Sequence, residues 1–202
     1  MNLVGIDIGT QGVKAALYSA DGECRAEAFQ PSGPARPAPG IVEEDPEFQL
    51  ASACGLVHEC VAKSGARDVA AIGIAGQMAG VIGIGADGLA ITPYDSWLDT
   101  RCAAQIMRMQ TEAGDAVLRA TGNAPSFNHG PKILWWQSER PADYARIAKF
   151  VQPGGYTAMR LCGLRADGST MRGRFSSATP KRAQSAVSQR LEQLSAKPEK
   201  WR

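Results

Sequence analysis

Three short strand-like runs open the chain, the first two apolar or alternating. Residues 3–8 and 13–18 lie on either side of Gly9-Thr10-Gln11-Gly12, and Asp21-Gly22 turns the second run into a third over 23–29. A period of two broken by glycine-containing turns predicts three successive strands. Residues 31–40 hold four prolines and two glycines, which predicts an exposed loop. Asp45-Pro46 then reads as a helix start, because an N-cap Asp accepts orphan amide hydrogens and Pro loses nothing in the first turn. Leu50, Cys54, Val57 and Val61 follow at spacings of four, three and four, which makes one apolar stripe.

Residues 69–75 form another strand, leading into Gly76-Gln77-Met78-Ala79-Gly80. Residues 81–84 and 89–91 flank Ala86-Asp87-Gly88 as a second hairpin. From Thr100 the pattern turns helical. Ala103, Ile106, Met107 and Gln110 share one helix and residues 116–120 a shorter one, with further helices over 131–137, 144–149 and 156–162. Strands first, then alternating helix and strand, predict an α/β domain.

Composition narrows this picture. A chain of 202 residues with 44% hydrophobic and 21% charged residues has the apolar mass for a real core. No run approaches the roughly 18 apolar residues of a membrane span, and the start lacks a basic segment followed by an apolar one. Cys24, Cys54, Cys60, Cys102 and Cys162 are odd in number and never in a C-x-x-C pair, so reduced thiols in a cytoplasm are expected. Charge divides the chain: residues 171–202 carry a net +6 and the first 170 a net −4. Residues 169–182 have no period, while Ala183, Ala186, Val187, Leu191 and Leu194 can line one face of a short helix. Apart from Phe175 and Trp201 this basic tail lacks interleaved aromatics, so no nucleic-acid partner is expected from it, and a foreign or frameshifted segment fits it as well.

Three segments can carry chemistry. In Gly5-Ile6-Asp7-Ile8-Gly9-Thr10-Gln11-Gly12-Val13-Lys14 a strand-end acid precedes a tight turn whose amides can point at phosphate oxygens, with Asp7 holding a hydrated Mg²⁺ opposite; the same residues also suit an ordinary hairpin. At the next strand's carboxyl end, Gln77 can bond a sugar hydroxyl or merely satisfy backbone groups. In Ser96-Trp97-Leu98-Asp99-Thr100-Arg101, Trp97 offers a face for a sugar, Asp99 an acceptor and Arg101 a fork of donors. Equally, Asp99 or Thr100 can cap a helix and Trp97 can be core. Trp135-Trp136 reads as helix-face packing and His58 as surface or satisfied core. Gly83-Ile84-Gly85-Ala86-Asp87-Gly88 matches G-x-G-x-x-G, but a strand-like run closed by Pro93 follows instead of a helix, so no dinucleotide site is expected.

Together these segments resemble the FGGY carbohydrate kinases, the xylulokinase-like members above all. G-I-D-I-G-T-x-G-x-K is similar to the family's phosphate hairpin, I-G-I-A-G-Q-M-x-G to its sugar-contacting strand end, and W-L-D-T-R-C to its W-N-D-x-R-C segment. Thr121-Gly122-Asn123, Pro131-Lys132-Ile133-Leu134-Trp135 and Pro153-x-x-Tyr156 with Arg160-Leu161-x-Gly163 fall in the family's order. The resemblance implies an actin-like, ribonuclease-H-type domain with a mixed five-stranded sheet, here incomplete at its C-terminus, and ATP-dependent phosphoryl transfer to a sugar hydroxyl. It implies that Asp7 acts through water on Mg²⁺ and that Gly9, Thr10, Gln11 and Lys14 face the ATP phosphates. Gln77, Met78, Ala79, Trp97, Asp99 and Arg101 would line the site of a ketopentose or related polyol.

Four positions depart from the family. Ala79 stands where xylulokinases usually carry His, Gln11 where Ser is commoner, and Gly154-Gly155 where Lys-Asp is usual. The expected organisation is an incomplete kinase amino-terminal domain over 1–170 and a basic non-family tail over 171–202. The family's general-base Asp and adenine-binding domain have no counterpart here, so this chain by itself is expected not to turn over. The alternative is a non-catalytic sugar-binding module or partner subunit. Neither reading expects a membrane partner.

Overall fold

The computed structural model describes residues 1–163, and the expectations for the basic tail lie outside the described residues. The three opening runs are β1 (Asn2–Gly9), β2 (Gly12–Ser19) and β3 (Cys24–Pro31), joined by tight turns. A short β4 (Glu43–Glu44) precedes α1 (Pro46–Ser64), which starts where the sequence predicts: Asp45 Oδ1 accepts the Glu47 amide at 2.8 Å, and Gly65 closes the helix in the left-handed region. Then come β5 (Val69–Gly76), β6 (Ile82–Ile84), β7 (Tyr94–Asp95), α2 (Ala103–Thr121), α3 (His129–Glu139), α4 (Pro141–Tyr144), β8 (Lys149–Val151) and α5 (Pro153–Cys162).

The main sheet has the order β3-β2-β1-β5, with β1 antiparallel to β2 and parallel to β5. It is mixed, and four of its expected five strands lie among the described residues. Alternation sorts its side chains onto two faces. Val4, Ile6, Ile8, Val13, Ala15 and Leu17 are buried against Leu50, Ala53, Cys54 and Val57 of α1, with Leu161 of α5 joining them. Leu3, Gly5, Asp7, Lys14 and Tyr18 point the other way and are exposed.

Three expectations give way. The two helices over 103–121 are one, α2, because nothing between Gln110 and Ala116 breaks it. The helix expected over 144–149 is absent: α4 ends at Tyr144, and the chain turns so that Lys149–Val151 pairs with Ile82–Ile84. Pairing with a strand distant in sequence overrides a local helical period there. The return arm of the second hairpin is reduced to a bridge between Ile84 and Ala90, on the edge of β6 away from β8. Among the described residues no helix is long and apolar enough to cross a membrane.

Candidate functional site

Asp7 sits near the end of β1 on the exposed sheet face, in register with Lys14 of β2 and Ala75 of β5. Thr10 and Gln11 form the turn between the paired residues Gly9 and Gly12. The turn tolerates no side chain at Gly12, where a Cβ would stand 2.3 Å from the Gln30 carbonyl oxygen and 2.6 Å from the Phe29 ring. The hairpin therefore presents a carboxylate, an ammonium and a glycine-bounded turn on one open edge.

Gln77 follows β5 and is tied to this hairpin twice. Its amide nitrogen donates to the Ile8 carbonyl at 2.9 Å, and its Nε2 donates to the Gly9 carbonyl at 3.2 Å. Nε2 also donates to Glu44 Oε1 at 2.9 Å, while Oε1 stands 3.5 Å from Thr10 Oγ1. Thr10 Oγ1 in turn accepts the Trp97 indole N–H at 3.0 Å. Trp97 is nevertheless 46% exposed, and Met78 is exposed as well. Ala79 holds the left-handed conformation at φ 65°, and a Cβ on Gly80 would stand 2.2 Å from the Asp95 carbonyl oxygen. The 76–80 turn is thereby pressed against β7 with Met78 facing outward.

Behind Trp97 lies a buried polar knot. Asp99 is fully buried: Oδ2 accepts the Val42 amide at 2.7 Å and Arg101 Nη2 at 2.7 Å, while Oδ1 accepts the Arg101 amide at 3.0 Å and Nε at 2.9 Å. Arg101 also pairs with Glu43 at 2.8 Å, and its guanidinium carbon stands 4.9 Å from the Trp135 ring centroid. Lys132, also fully buried, reaches from α3 to donate to the Ser96 and Asp99 carbonyls at 3.0 and 2.9 Å. Asp95 accepts the Trp136 indole N–H at 2.6 Å through Oδ2, but its Oδ1 has no hydrogen-bond partner and stands 3.5 Å from Arg101 Nη2.

Glu43, Asp95 and Asp99 meet only Arg101 and Lys132 in this knot, so the fully ionised cluster would carry one surplus negative charge. Burial pushes the Asp95 carboxyl up from 3.8 to about 7, with Arg101 and the Trp136 bond pulling the other way. Burial likewise lowers Lys132, against the attraction of Asp99. Held this way, residues 96–101 form a rigid shelf that presents Trp97.

The structure thus brings Gly9, Thr10, Gln77 and Trp97 into one hydrogen-bonded edge, with Asp7, Gln11 and Lys14 on the open side of the same hairpin. Asp99 and Arg101 are not on that edge. Their side chains are spent on each other, on Val42 and on Glu43, so the acceptor and donor fork expected to face a sugar face inward instead. The capping alternative does not hold either: α2 has Cys102 at its N-cap and no side-chain cap bond, and the Asp99 carboxylate instead closes a local turn onto the Arg101 amide before the helix. Trp136 packs in the interior as expected, but its indole N–H is also committed to Asp95. The Gly83–Gly88 segment holds a strand and a tight turn, Gly88 N donating to the Gly85 carbonyl at 3.0 Å, with no helix after it.

Sequence reasoning overlooked Glu44, Asp95 and Lys132. Glu44 and Lys132 left faint signals. Glu43-Glu44 is an acid pair just before a helix cap, and Lys132 is a lone cation in the apolar stretch Pro131 to Trp136.

A model of the FGGY family of carbohydrate kinases, N-terminal domain, matches residues 2–176. The chain is 33% identical over 162 residues to xylulose kinase of Escherichia coli, covering 79% of this chain and 33% of that protein. It is 30% identical over 165 residues to xylulose kinase of Bacillus subtilis, with 80% and 33% covered. The solved xylulose kinase of Rhodospirillum rubrum superposes with a TM-score of 0.78 at 26% identity, covering 82% of this chain and 35% of that one. Glycerol kinase of Plasmodium falciparum shares the fold alone, with a TM-score of 0.76 at 20% identity over 81% of this chain and 34% of that one. The chain spans about a third of the length of the curated relatives it matches. It belongs to the FGGY family of carbohydrate kinases and carries that family's N-terminal domain, in the actin-like ATPase fold.

Proposed function

We propose that this chain forms the sugar-facing part of an ATP-dependent carbohydrate kinase. A small ketose or polyol would bind against Trp97, Met78 and the Gln77 turn, with one hydroxyl directed toward a nucleotide's terminal phosphate beside Asp7. The observation that carries this reading is the chain of hydrogen bonds from Gln77 through Gly9 and Thr10 to Trp97. It welds the phosphate-type hairpin to an exposed aromatic face, so that two ligands seated on either side would be held in fixed relation. Phosphoryl transfer depends chiefly on such positioning. The names of the relatives, xylulose kinase and glycerol kinase, support a substrate in the ketopentose-to-polyol class.

The open side of the hairpin suits a magnesium nucleotide. Among the described residues no group of three or more His, Cys, Asp or Glu side chains can hold a bare metal ion. One exposed carboxylate with a lysine in register fits a cation already carried by phosphate oxygens and water, which is how Mg²⁺ is usually bound. Bound Mg-ATP would supply the phosphoryl group and neutralise charge on it. Asp7 would order the ion's water shell, and Lys14, Gln11 and the Thr10 turn would face the phosphates. Asp99 and Arg101 would act by holding the shelf under Trp97.

Titration calorimetry of the 202-residue chain with D-xylulose, D-ribulose and glycerol tests the reading. Binding is the decisive readout, because the chain spans about a third of its relatives. Saturable binding of at least one ligand is expected, together with its loss in Trp97→Ala at unchanged melting temperature. Absence of binding to all three by a cooperatively folded protein would overturn it.

A further inference from the structure

Glu44 is a buried carboxylate with no cation against it among the described residues. It lies at the end of β4, 5% exposed, and accepts two bonds from neutral amides: Gln77 Nε2 to Oε1 and Gln49 Nε2 to Oε2, each at 2.9 Å. A buried charge compensated only by amides is costly, and burial pushes this carboxyl above its ordinary range. Gln49 shows how strongly the carboxylate dictates its surroundings. Its amide is turned nitrogen-first toward Glu44, although this leaves Gln49 Oε1 buried without a partner.

The same logic governs Gln77. A primary amide offers two N–H donors and one carbonyl acceptor, whereas an ionised carboxylate only accepts. Facing Glu44, Gln77 must point Nε2 inward, and its second N–H is taken by the Gly9 carbonyl. Both donors are then used. What remains on the side of Thr10 and Trp97 is Oε1 alone.

We propose that Glu44 is a positioning residue that fixes the Gln77 amide with its carbonyl toward the Thr10–Trp97 edge, so that this point of the site recognises a hydroxyl donor. The inference rests on the sugar-binding reading for its ligand, but the orientation of Gln77 stands on the geometry alone. A glutamine at position 44 could donate or accept, so that only the Gly9 carbonyl would still call for a Gln77 N–H.

Two measurements on the full chain decide the matter. In the native protein the side-chain amide protons of Gln77, followed by nitrogen-15 NMR, should form one set and exchange slowly. In Glu44→Gln they should divide between two environments or broaden, with affinity for D-xylulose falling by up to about tenfold, the upper end for one lost neutral hydrogen bond. Glu44→Asp, which keeps an acceptor-only group, should restore a single Gln77 environment. Unchanged Gln77 resonances in Glu44→Gln would overturn the proposal, as would divided resonances with unaltered sugar affinity. If the native chain binds none of the three sugars or polyols, the sugar reading fails, and the amide comparison still decides whether Glu44 orients Gln77.

Discussion

Two buried regions among the described residues are built from opposite materials. Between the main sheet and α1, Val4, Ile6, Ile8, Val13, Leu17, Leu50 and Val57 bury aliphatic surface. Under the 96–101 shelf, Asp95, Asp99, Lys132 and the Arg101 side chain are as dry, yet nearly every contact is a hydrogen bond or an ion pair. The aliphatic layer can lose a methyl group and relax. The polar knot has no such latitude, because each partner removed leaves another buried and unsatisfied. Non-directional burial builds the platform, and directional bonding aims Trp97.

The largest effect should come from breaking the knot. Asp99→Ala takes the acceptor from Arg101 Nε and from the Val42 and Arg101 amides, although Glu43 still pairs with the guanidinium, and should destabilise by about 3–5 kcal/mol, measured by urea unfolding. Leu50→Ala in the aliphatic layer should cost about 2–5 kcal/mol with an unchanged denaturant slope. If Leu50→Ala proved clearly the worse, the contrast drawn between the two interiors would fail.

A third test separates the two regions by pH. Asp95 binds its proton more tightly when folded, since its carboxyl rises from 3.8 to about 7. Its contribution to stability is therefore full below the unfolded value and is lost as pH climbs through the folded one. The native chain should lose stability between about pH 4 and 7 by at most about 1.4 kcal/mol per unit from this group. Melting curves of Asp95→Asn should show that decline flattened, whereas Leu50→Ala should keep it. The smallest effect is expected on the surface: breaking the exposed Arg108–Glu112 pair of α2 by Arg108→Ala should change stability by less than about 0.5 kcal/mol.

How much of this was legible beforehand follows the same division. Alternation around Gly9–Gly12 and the Leu50, Cys54, Val57 stripe identify β1, β2 and α1, because a period of two or 3.6 is itself the signature of one buried face. The cap at Asp45 was readable for a local reason, since donor and acceptor lie two residues apart. The helix expected over 144–149 was misread because β8 exists only through pairing with β6, more than sixty residues earlier.

The site divides likewise. Gln77, Trp97 and Thr10 could be singled out from their segments, but the bonds joining them span 67 and 87 residues. Asp99 looked like a ligand acceptor because an acid beside Trp and Arg has that composition. Only folding showed that the carboxylate is consumed by Val42 and Arg101.

The amino-acid order by itself thus determined β1, β2, β3 and β5, the long capped helix, the glycine turns and, through its motifs, the kinship. Those properties are set by neighbours a few residues apart. Tertiary structure alone decided which polar side chains stay open and which are sealed, why Glu44 governs Gln77, and why Lys132 lies under a loop more than thirty residues before it. Whether a hydrogen-bonding group is spent or available depends on partners that no local pattern encodes.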